Sequence, residues 1–116
     1  MRHVALLNKT TGRPISQRVA VADTALSRFV SLLGRRGLGP GEGLLIKPSS
    51  GVHTIGMRFA IDVVALDKQL RVVEVWPNLK PYRMSRLSLT FRSMLELPAG
   101  EIARTEIKIG DQLEHA

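Results

Sequence analysis

The sequence predicts a mainly β fold, a compact antiparallel β-sandwich or distorted barrel with one packed α-helix, which would count as α+β by its helix content. Short apolar segments recur at hairpin spacing along the 116-residue chain and give about seven or eight strands. A single segment shows a clear helical period. Residues 1–116 suffice for a single domain with its own hydrophobic core, and the chain has no internal repeats.

The strand assignments rest on alternation of apolar residues and on the turn signals between segments. The predicted strands are residues 4–7, 15–22, 43–47, 59–66, 70–76 and 93–97, and residues 52–54 are a further candidate for an extended segment. The segment 59–66 is nearly continuous apolar sequence, so it should be a central strand that is buried on both faces. Ile107, Ile109 and Leu113 are expected to close the sheet around a turn at Gly110.

Residues 23–33 form the clearest predicted helix. Leu26, Phe29, Val30 and Leu33 recur at helical spacing as one apolar stripe, which we expect to pack on the sheet. Asp23 is a good N-cap, because its carboxylate can accept hydrogen bonds from the first amides of the helix. A second helical piece, of one or two turns, is predicted for residues 98–104.

The composition narrows the classes of function. The chain has no cysteine, which excludes disulfides, thiolate metal sites and thiol nucleophiles. The apolar run at residues 4–7 is too short for a signal peptide, and no window approaches the roughly 20 apolar residues of a membrane span. A cytoplasmic protein without a membrane partner is therefore expected. The formal net charge of +7 is compatible with nucleic acid, an acidic partner or an ordinary basic surface.

The densest group of polar side chains surrounds the predicted central strand: His53, Thr54, Arg58 and Asp62, with Glu96 on a later strand. These residues are predicted to line a ligand-binding cleft. A buried carboxylate must be charge-paired or hydrogen-bonded. Asp62 therefore either pairs with Arg58 or accepts loop amides, or it works with His53 as an acid–base pair. Glu96 is either the buried partner of an arginine or a site carboxylate. No spacing motif supports a metal site or a cofactor.

Residues 77–92 have no clear period and carry Lys80, Arg83, Arg86 and Arg92, so they are predicted to form a long basic loop. One hypothesis makes this loop a flap beside the cleft, with Arg83 and Arg86 as anion-binding residues. The alternative is a solvated loop remote from the cleft. A weak interaction with nucleic acid through the same residues is a further alternative.

A series of short motifs runs through residues 22–113. The series is Ala22-Asp23-Thr24, Leu33-Gly34-Arg35, Gly43-Leu44-Leu45, His53-Thr54-Ile55-Gly56-Met57, Ile61-Asp62-Val63-Val64, Leu95-Glu96-Leu97 and Ile109-Gly110-Asp111. In this ordered series the chain resembles the domain of unknown function 192 family, small uncharacterised proteins of bacteria and archaea. The resemblance implies a mainly β, sandwich-like fold with a packed helix, and it implies no activity.

The sequence favours a small non-enzymatic domain, ligand-binding or accessory, with a polar cleft and a small molecule or a protein as its partner. One alternative is a small hydrolase-like enzyme that uses a His/carboxylate pair. The other is a weak nucleic-acid binder. Whether the chain is an enzyme stays open from the sequence, and no cofactor or metal is expected.

Overall fold

Seven strands form one sheet that curls into a half-barrel, which confirms the predicted mainly β fold. The computed structural model describes residues 2–24, 38–52, 54 and 59–116. The strands are β1 (His3–Asn8), β2 (Arg13–Ala22), β3 (Glu42–Ile46), β4 (Ile61–Leu66), β5 (Val72–Leu79), β6 (Ser93–Pro98) and β7 (Leu113–His115). The predicted helix of residues 23–33 lies outside the described residues, apart from Asp23 and Thr24.

The strand order in the sheet is β5-β4-β6-β3-β2-β1-β7. Neighbours pair antiparallel, as hairpin spacing predicts, except β2 and β3. These two strands run parallel, with Val19 opposite Gly43 and Val21 opposite Leu45. Hairpin spacing misses this pair because parallel strands cannot be joined by a tight turn and need a long crossover connection.

The two outermost strands approach each other at one end of the sheet. Arg71, which precedes β5, forms an isolated bridge with Gln112, which precedes β7. Beside this bridge the Val72 amide donates a hydrogen bond of 2.8 Å to the Asp111 carbonyl. The curl therefore closes on itself at this end, which shortens the free edges of the sheet.

The sheet has a hydrophobic core on each face, and β4 contributes to both. All residues of β4 are buried, as its continuous apolar sequence predicts. Because side chains alternate along a strand, Val64 and Leu66 enter the core inside the curl, whereas Ile61 and Val63 enter the core on the other face. We call the two faces the inner and the outer face.

The outer face is covered by residues 49–52, by Thr54 and by residues 80–92, which we name the cap segment. These two stretches pair with each other: the Thr54 amide donates to the Arg83 carbonyl over 2.8 Å, and the Ser85 amide donates to the Val52 carbonyl over 2.9 Å. Val52 and Phe91 are buried in the outer core. The basic loop predicted from the sequence therefore lies against the sheet, beside Thr54.

The short helix α1 (Glu101–Thr105) corresponds to the helical piece predicted for residues 98–104. It follows Gly100, whose φ of 95° lies in the left-handed region that glycine tolerates. Ile102 is buried in the inner core. On the exposed side of the helix the Arg104 guanidinium donates to the Glu101 carboxylate, and this hydrogen bond raises the pKa of Arg104.

Two further details differ from the sequence-based expectation. Strand β5 runs through Pro77 to Leu79 instead of ending at Trp76. Proline is tolerated there because β5 is an outermost strand and needs no further ladder hydrogen bond. Ile109 is 64% exposed and does not help to close the sheet, because it lies in the turn beside Gly110.

Candidate functional site

Asp62 is 1% exposed within β4 and accepts three backbone hydrogen bonds. Its Oδ1 accepts from the Asn78 amide at 2.8 Å, and its Oδ2 accepts from the amides of Gly100 at 3.1 Å and Ile102 at 2.8 Å. The prediction that Asp62 is buried and accepts loop amides is confirmed. These bonds tie β4 to the end of β5 and to the start of α1, so the carboxylate has a structural role.

Thr54 is fully buried, and its hydroxyl holds the start of the cap segment. Oγ1 donates to the Lys80 carbonyl over 2.7 Å and accepts from the Arg83 amide over 2.8 Å. A hydroxyl has one proton to donate and two lone pairs. The Thr54 hydroxyl therefore positions the backbone of Lys80 and Arg83. Thr54 can influence a ligand only through these two residues.

Glu96 and Asp62 are buried on opposite faces of the sheet. In the pairing of β4 with β6, Glu96 lies opposite Val63 and Asp62 lies opposite Leu97. Directly opposed residues share a face, so Glu96 belongs to the outer face with Val63, and Asp62 to the inner face with Leu97. The structure does not bring the two carboxylates into one cleft. His53 and Arg58, the other predicted members of that cleft, lie outside the described residues.

The two arginines predicted to bind anions differ in their surroundings. The Arg86 Nε donates to the Glu74 carboxylate over 3.0 Å, and the guanidinium lies 5.0 Å from the centre of the Phe91 ring. Its charge is therefore already paired within the protein. Arg83 is exposed, and the one hydrogen bond of its side chain is a long contact of 3.4 Å to the Tyr82 carbonyl.

Arg83 lies beside a groove of about 350 Å³ along the end of β5, which we name the Trp76 groove. Its lining consists of Val75, Trp76, Pro77, Asn78, Leu79, Lys80 and Arg83. Trp76 meets Phe91 edge-on, with ring centres 5.7 Å apart, and is partly exposed. The groove thus combines an aromatic and aliphatic lining with two cations.

The backbone around the Trp76 groove is held in unusual conformations. Asn78 has a φ of 55° and Tyr82 a φ of 60°, in the left-handed region that residues other than glycine seldom adopt. The hydrogen bond to Asp62 fixes Asn78, and the Tyr82 amide donates to the Thr54 carbonyl over 3.0 Å. Strained backbone that neighbouring bonds hold in place is a feature of many binding sites.

Sequence reasoning did not single out Trp76, which lines this groove, although one signal was present. The only tryptophan of the chain stands next to a proline and shortly before the basic loop. Among the described residues, no group of three or more His, Asp or Glu side chains could hold a metal ion. Within the same residues, no helix has both the length and the apolar character that crossing a bilayer requires.

Comparison with known proteins agrees with the motif series. A family model for the domain of unknown function 192, described as an uncharacterised ACR, matches residues 6–115. A UPF0127 protein of Pyrococcus furiosus is 32% identical over 115 residues, covering 94% of this chain and 96% of that protein. A UPF0127 protein of Thermococcus sibiricus is 31% identical, covering 94% of this chain and 73% of that protein.

Two solved structures share the fold. One is a protein of unknown function from Novosphingobium aromaticivorans, with a TM-score of 0.78 and 23% identity, covering 97% of this chain and 83% of the other. The second is a Sinorhizobium meliloti protein to which a role in regulating transcription has been ascribed, again with a TM-score of 0.78 and 23% identity. It covers 97% of this chain and 92% of the other. At this identity the likeness concerns the fold alone.

Proposed function

The chain belongs to the domain of unknown function 192 family, and from its geometry we propose that it is a non-enzymatic binding domain whose Trp76 groove takes a small anionic ligand. One observation carries the proposal. Lys80 and Arg83 lie beside an aromatic and aliphatic groove, and no carboxylate among the described residues lies within ion-pair distance of either cation.

The charge around the groove favours an anion. The sequence contains no acidic residue between Glu74 and Glu96, and Arg86 pairs with Glu74. Lys80 and Arg83 have no carboxylate partner among the described residues, and such cations beside a low-dielectric lining concentrate positive potential and raise the local concentration of anions. The partly exposed indole of Trp76 offers an apolar surface to the rest of the ligand. The ligand class is therefore a small carboxylate or phosphate with an apolar body.

The rigidity of the groove supports binding as its role. Lys80 and Arg83 are held by the Thr54 hydroxyl, and Asn78 is held by the buried Asp62. A groove that is already ordered loses little conformational entropy when a ligand binds, so more of the contact energy appears as affinity. Thr54 and Asp62, which the sequence predicts to line a cleft, therefore hold the backbone of the neighbouring Trp76 groove.

The hydrolase-like alternative has less support. Three of the roughly four lone-pair positions of Asp62 accept backbone hydrogen bonds, so the carboxylate is poorly placed to take a proton from a substrate. The hydroxyl of Thr54 is likewise occupied. The nucleic-acid alternative rests on the same cations as the groove, and a salt-dependent interaction with single-stranded DNA would favour it.

Binding of matched ligands tests the proposal, with the fluorescence of the single tryptophan as the signal. Hexanoate and hexyl phosphate do not absorb where tryptophan does, and hexanamide is their neutral counterpart. We expect the anions to change the emission of Trp76 and to bind more tightly than hexanamide by calorimetry. Arg83→Gln and Lys80→Gln should each weaken anion binding about tenfold, as expected for the loss of a charge-assisted hydrogen bond.

Arg18→Gln is the matched control, because Arg18 is an exposed arginine on β2 outside the groove lining. It lowers the net charge by the same amount as Arg83→Gln. Equal weakening by the two substitutions would mean that only the overall charge attracts the anion. That result, or binding of hexanamide as tight as that of hexanoate, would refute the proposal.

A further inference from the structure

Apolar side chains project from the outward side of the cap segment. Tyr82 is 65% exposed, Met84 and Leu87 are each 60% exposed, and Leu89 is 90% exposed. Within the described part of the chain, only Ile109 is a large apolar side chain of comparable exposure elsewhere. Scattered apolar residues are normal on a protein surface, but several within one short segment indicate an interaction site.

The outward direction of these side chains is set by the packing on the other side of the segment. Ser85 and Phe91 of the segment are buried, and the Ser85 hydroxyl accepts a hydrogen bond of 2.9 Å from the Val52 amide. At Gly51 the two stretches approach so closely that a Cβ would overlap the Leu87 side chain and lie 3.3 Å from the Arg86 carbonyl. The segment is therefore packed closely against Gly51: Leu87 touches Gly51 with one end of its side chain and exposes the rest, as do the other apolar residues of the segment.

Some backbone amides of the cap segment donate no hydrogen bond to the described residues. The Arg83 amide donates to the Thr54 hydroxyl, and the Ser85 amide donates to the Val52 carbonyl. To other described residues, the backbone amides of Met84, Leu87 and Leu89 donate no hydrogen bond. Amides of this kind between exposed apolar side chains are typical of an edge to which another extended polypeptide can pair.

We propose that the outward side of the cap segment docks an extended segment of a partner protein that carries acidic and apolar side chains. The cations of the segment select the acidic side chains, since no acidic residue occurs from position 75 to position 95. Tyr82, Met84, Leu87 and Leu89 receive the apolar ones. This inference goes beyond the anion-binding groove: its apolar residues lie outside the groove lining, whereas Lys80 and Arg83 belong to both surfaces.

Other occupants fit these observations less well. A second copy of the chain would bring the same arginines face to face, and like charges across an interface disfavour association. A bilayer would accept the apolar side chains but offers nothing to the backbone amides in its hydrocarbon region. Nucleic acid would pair with the cations but would leave Leu87 and Leu89 without apolar contacts.

Capped peptides of about ten residues test the proposal by titration into the isotope-labelled protein, followed by nuclear magnetic resonance. The first peptide alternates glutamate with leucine and valine. The second replaces every glutamate by glutamine, and the third replaces every leucine and valine by serine. We expect the first peptide to bind most tightly and to shift the amide signals of Met84, Leu87 and Leu89.

The double substitution of Leu87→Ser with Leu89→Ser should weaken binding of the first peptide at least about tenfold. Ile109→Ser is the matched control, because Ile109 is equally exposed but lies in the turn before β7. Both changes replace exposed side chains, so the unfolding midpoint should stay close to that of the original protein. Hexanoate binding should be unchanged in the double variant, which separates this surface from the Trp76 groove.

Three outcomes would overturn the proposal. The first is that no peptide binds at millimolar concentration. The second is that Ile109→Ser weakens binding as much as the double substitution does. The third is that phosphatidylglycerol vesicles bind through Leu87 and Leu89 while the acidic peptide does not, which would make the surface a site for membranes. Preferential binding of the glutamate peptide, lost in the double variant, would support it.

Discussion

Replacement of Asp62 by alanine removes the acceptor of three backbone hydrogen bonds at once. A hydrogen bond to a charged group contributes about 1.5–3 kcal/mol to stability, but three bonds to one carboxylate do not add in full. Asn78 and Gly100 are exposed residues whose amides can turn to water, whereas the Ile102 amide is buried. We therefore expect Asp62→Ala to lower the free energy of unfolding by about 3–5 kcal/mol.

Asp62→Asn tests the same argument with less change in shape. An amide keeps one acceptor oxygen and places an NH₂ group where the other oxygen was. One side of the site must then bring donors face to face, either at Asn78 or at Gly100 and Ile102. The expected loss is about 2–3 kcal/mol, smaller than for alanine.

Equilibrium unfolding in guanidinium chloride, followed by circular dichroism and by the fluorescence of Trp76, measures these losses. Asp67→Ala is the control, because Asp67 also accepts two backbone amides, from Gln69 and Arg71 at 2.9 Å each, but in an exposed turn. It should lower stability by about 1 kcal/mol or less. A loss for Asp62→Ala no larger than that for Asp67→Ala would refute the assigned role of Asp62.

Further substitutions test how the cap segment is held. Thr54→Val removes a hydroxyl that bonds two cap residues, so it should lower unfolding stability by about 1–3 kcal/mol, and Thr54→Ser should restore most of that loss in the same denaturant titration. Gly51→Ala places a methyl group against Leu87 and should lower stability by about 1–3 kcal/mol, with chemical-shift changes confined to the cap and its neighbours. Arg86→Ala removes an exposed ion pair with Glu74 and should lower unfolding stability by about 1 kcal/mol or less. Hexanoate binding should stay intact, and its loss would contradict the conclusion that Arg86 is paired within the protein and does not bind the anion.

The role of Asp62 could be predicted because its evidence is local. A carboxylate inside the apolar stretch 59–66 must be hydrogen-bonded, whatever the topology, and the structure supplies the amides. The placement of Glu96 could not be predicted in the same way. Its face depends on the register between β4 and β6, which are distant in the sequence, and a shift of one residue would turn the side chain to the other face.

The Trp76 groove could not be predicted from the sequence, for a similar reason. Arg83 and Arg86 look alike in the sequence, but Glu74 on β5 neutralises only Arg86. That pairing follows from the path of the cap segment across the outer face, which no local pattern records. Trp76 reads as a core residue of a strand, and its partial exposure depends on β5 being outermost in the sheet.

The position of β6 has a consequence for the order in which the chain can fold. β1 with β2, and β4 with β5, are hairpins whose strands follow each other in the sequence, and such local pairs close at low entropic cost. β6 pairs with both β3 and β4, so its ladders join the part of the sheet built from β1, β2 and β3 to the β4–β5 hairpin. Before β6 docks, the apolar strands β3 and β4 each present a long unpaired edge. We therefore expect aggregation to be fastest from partly folded chains in which both hairpins have formed and residues 93–98 have not yet been inserted between them.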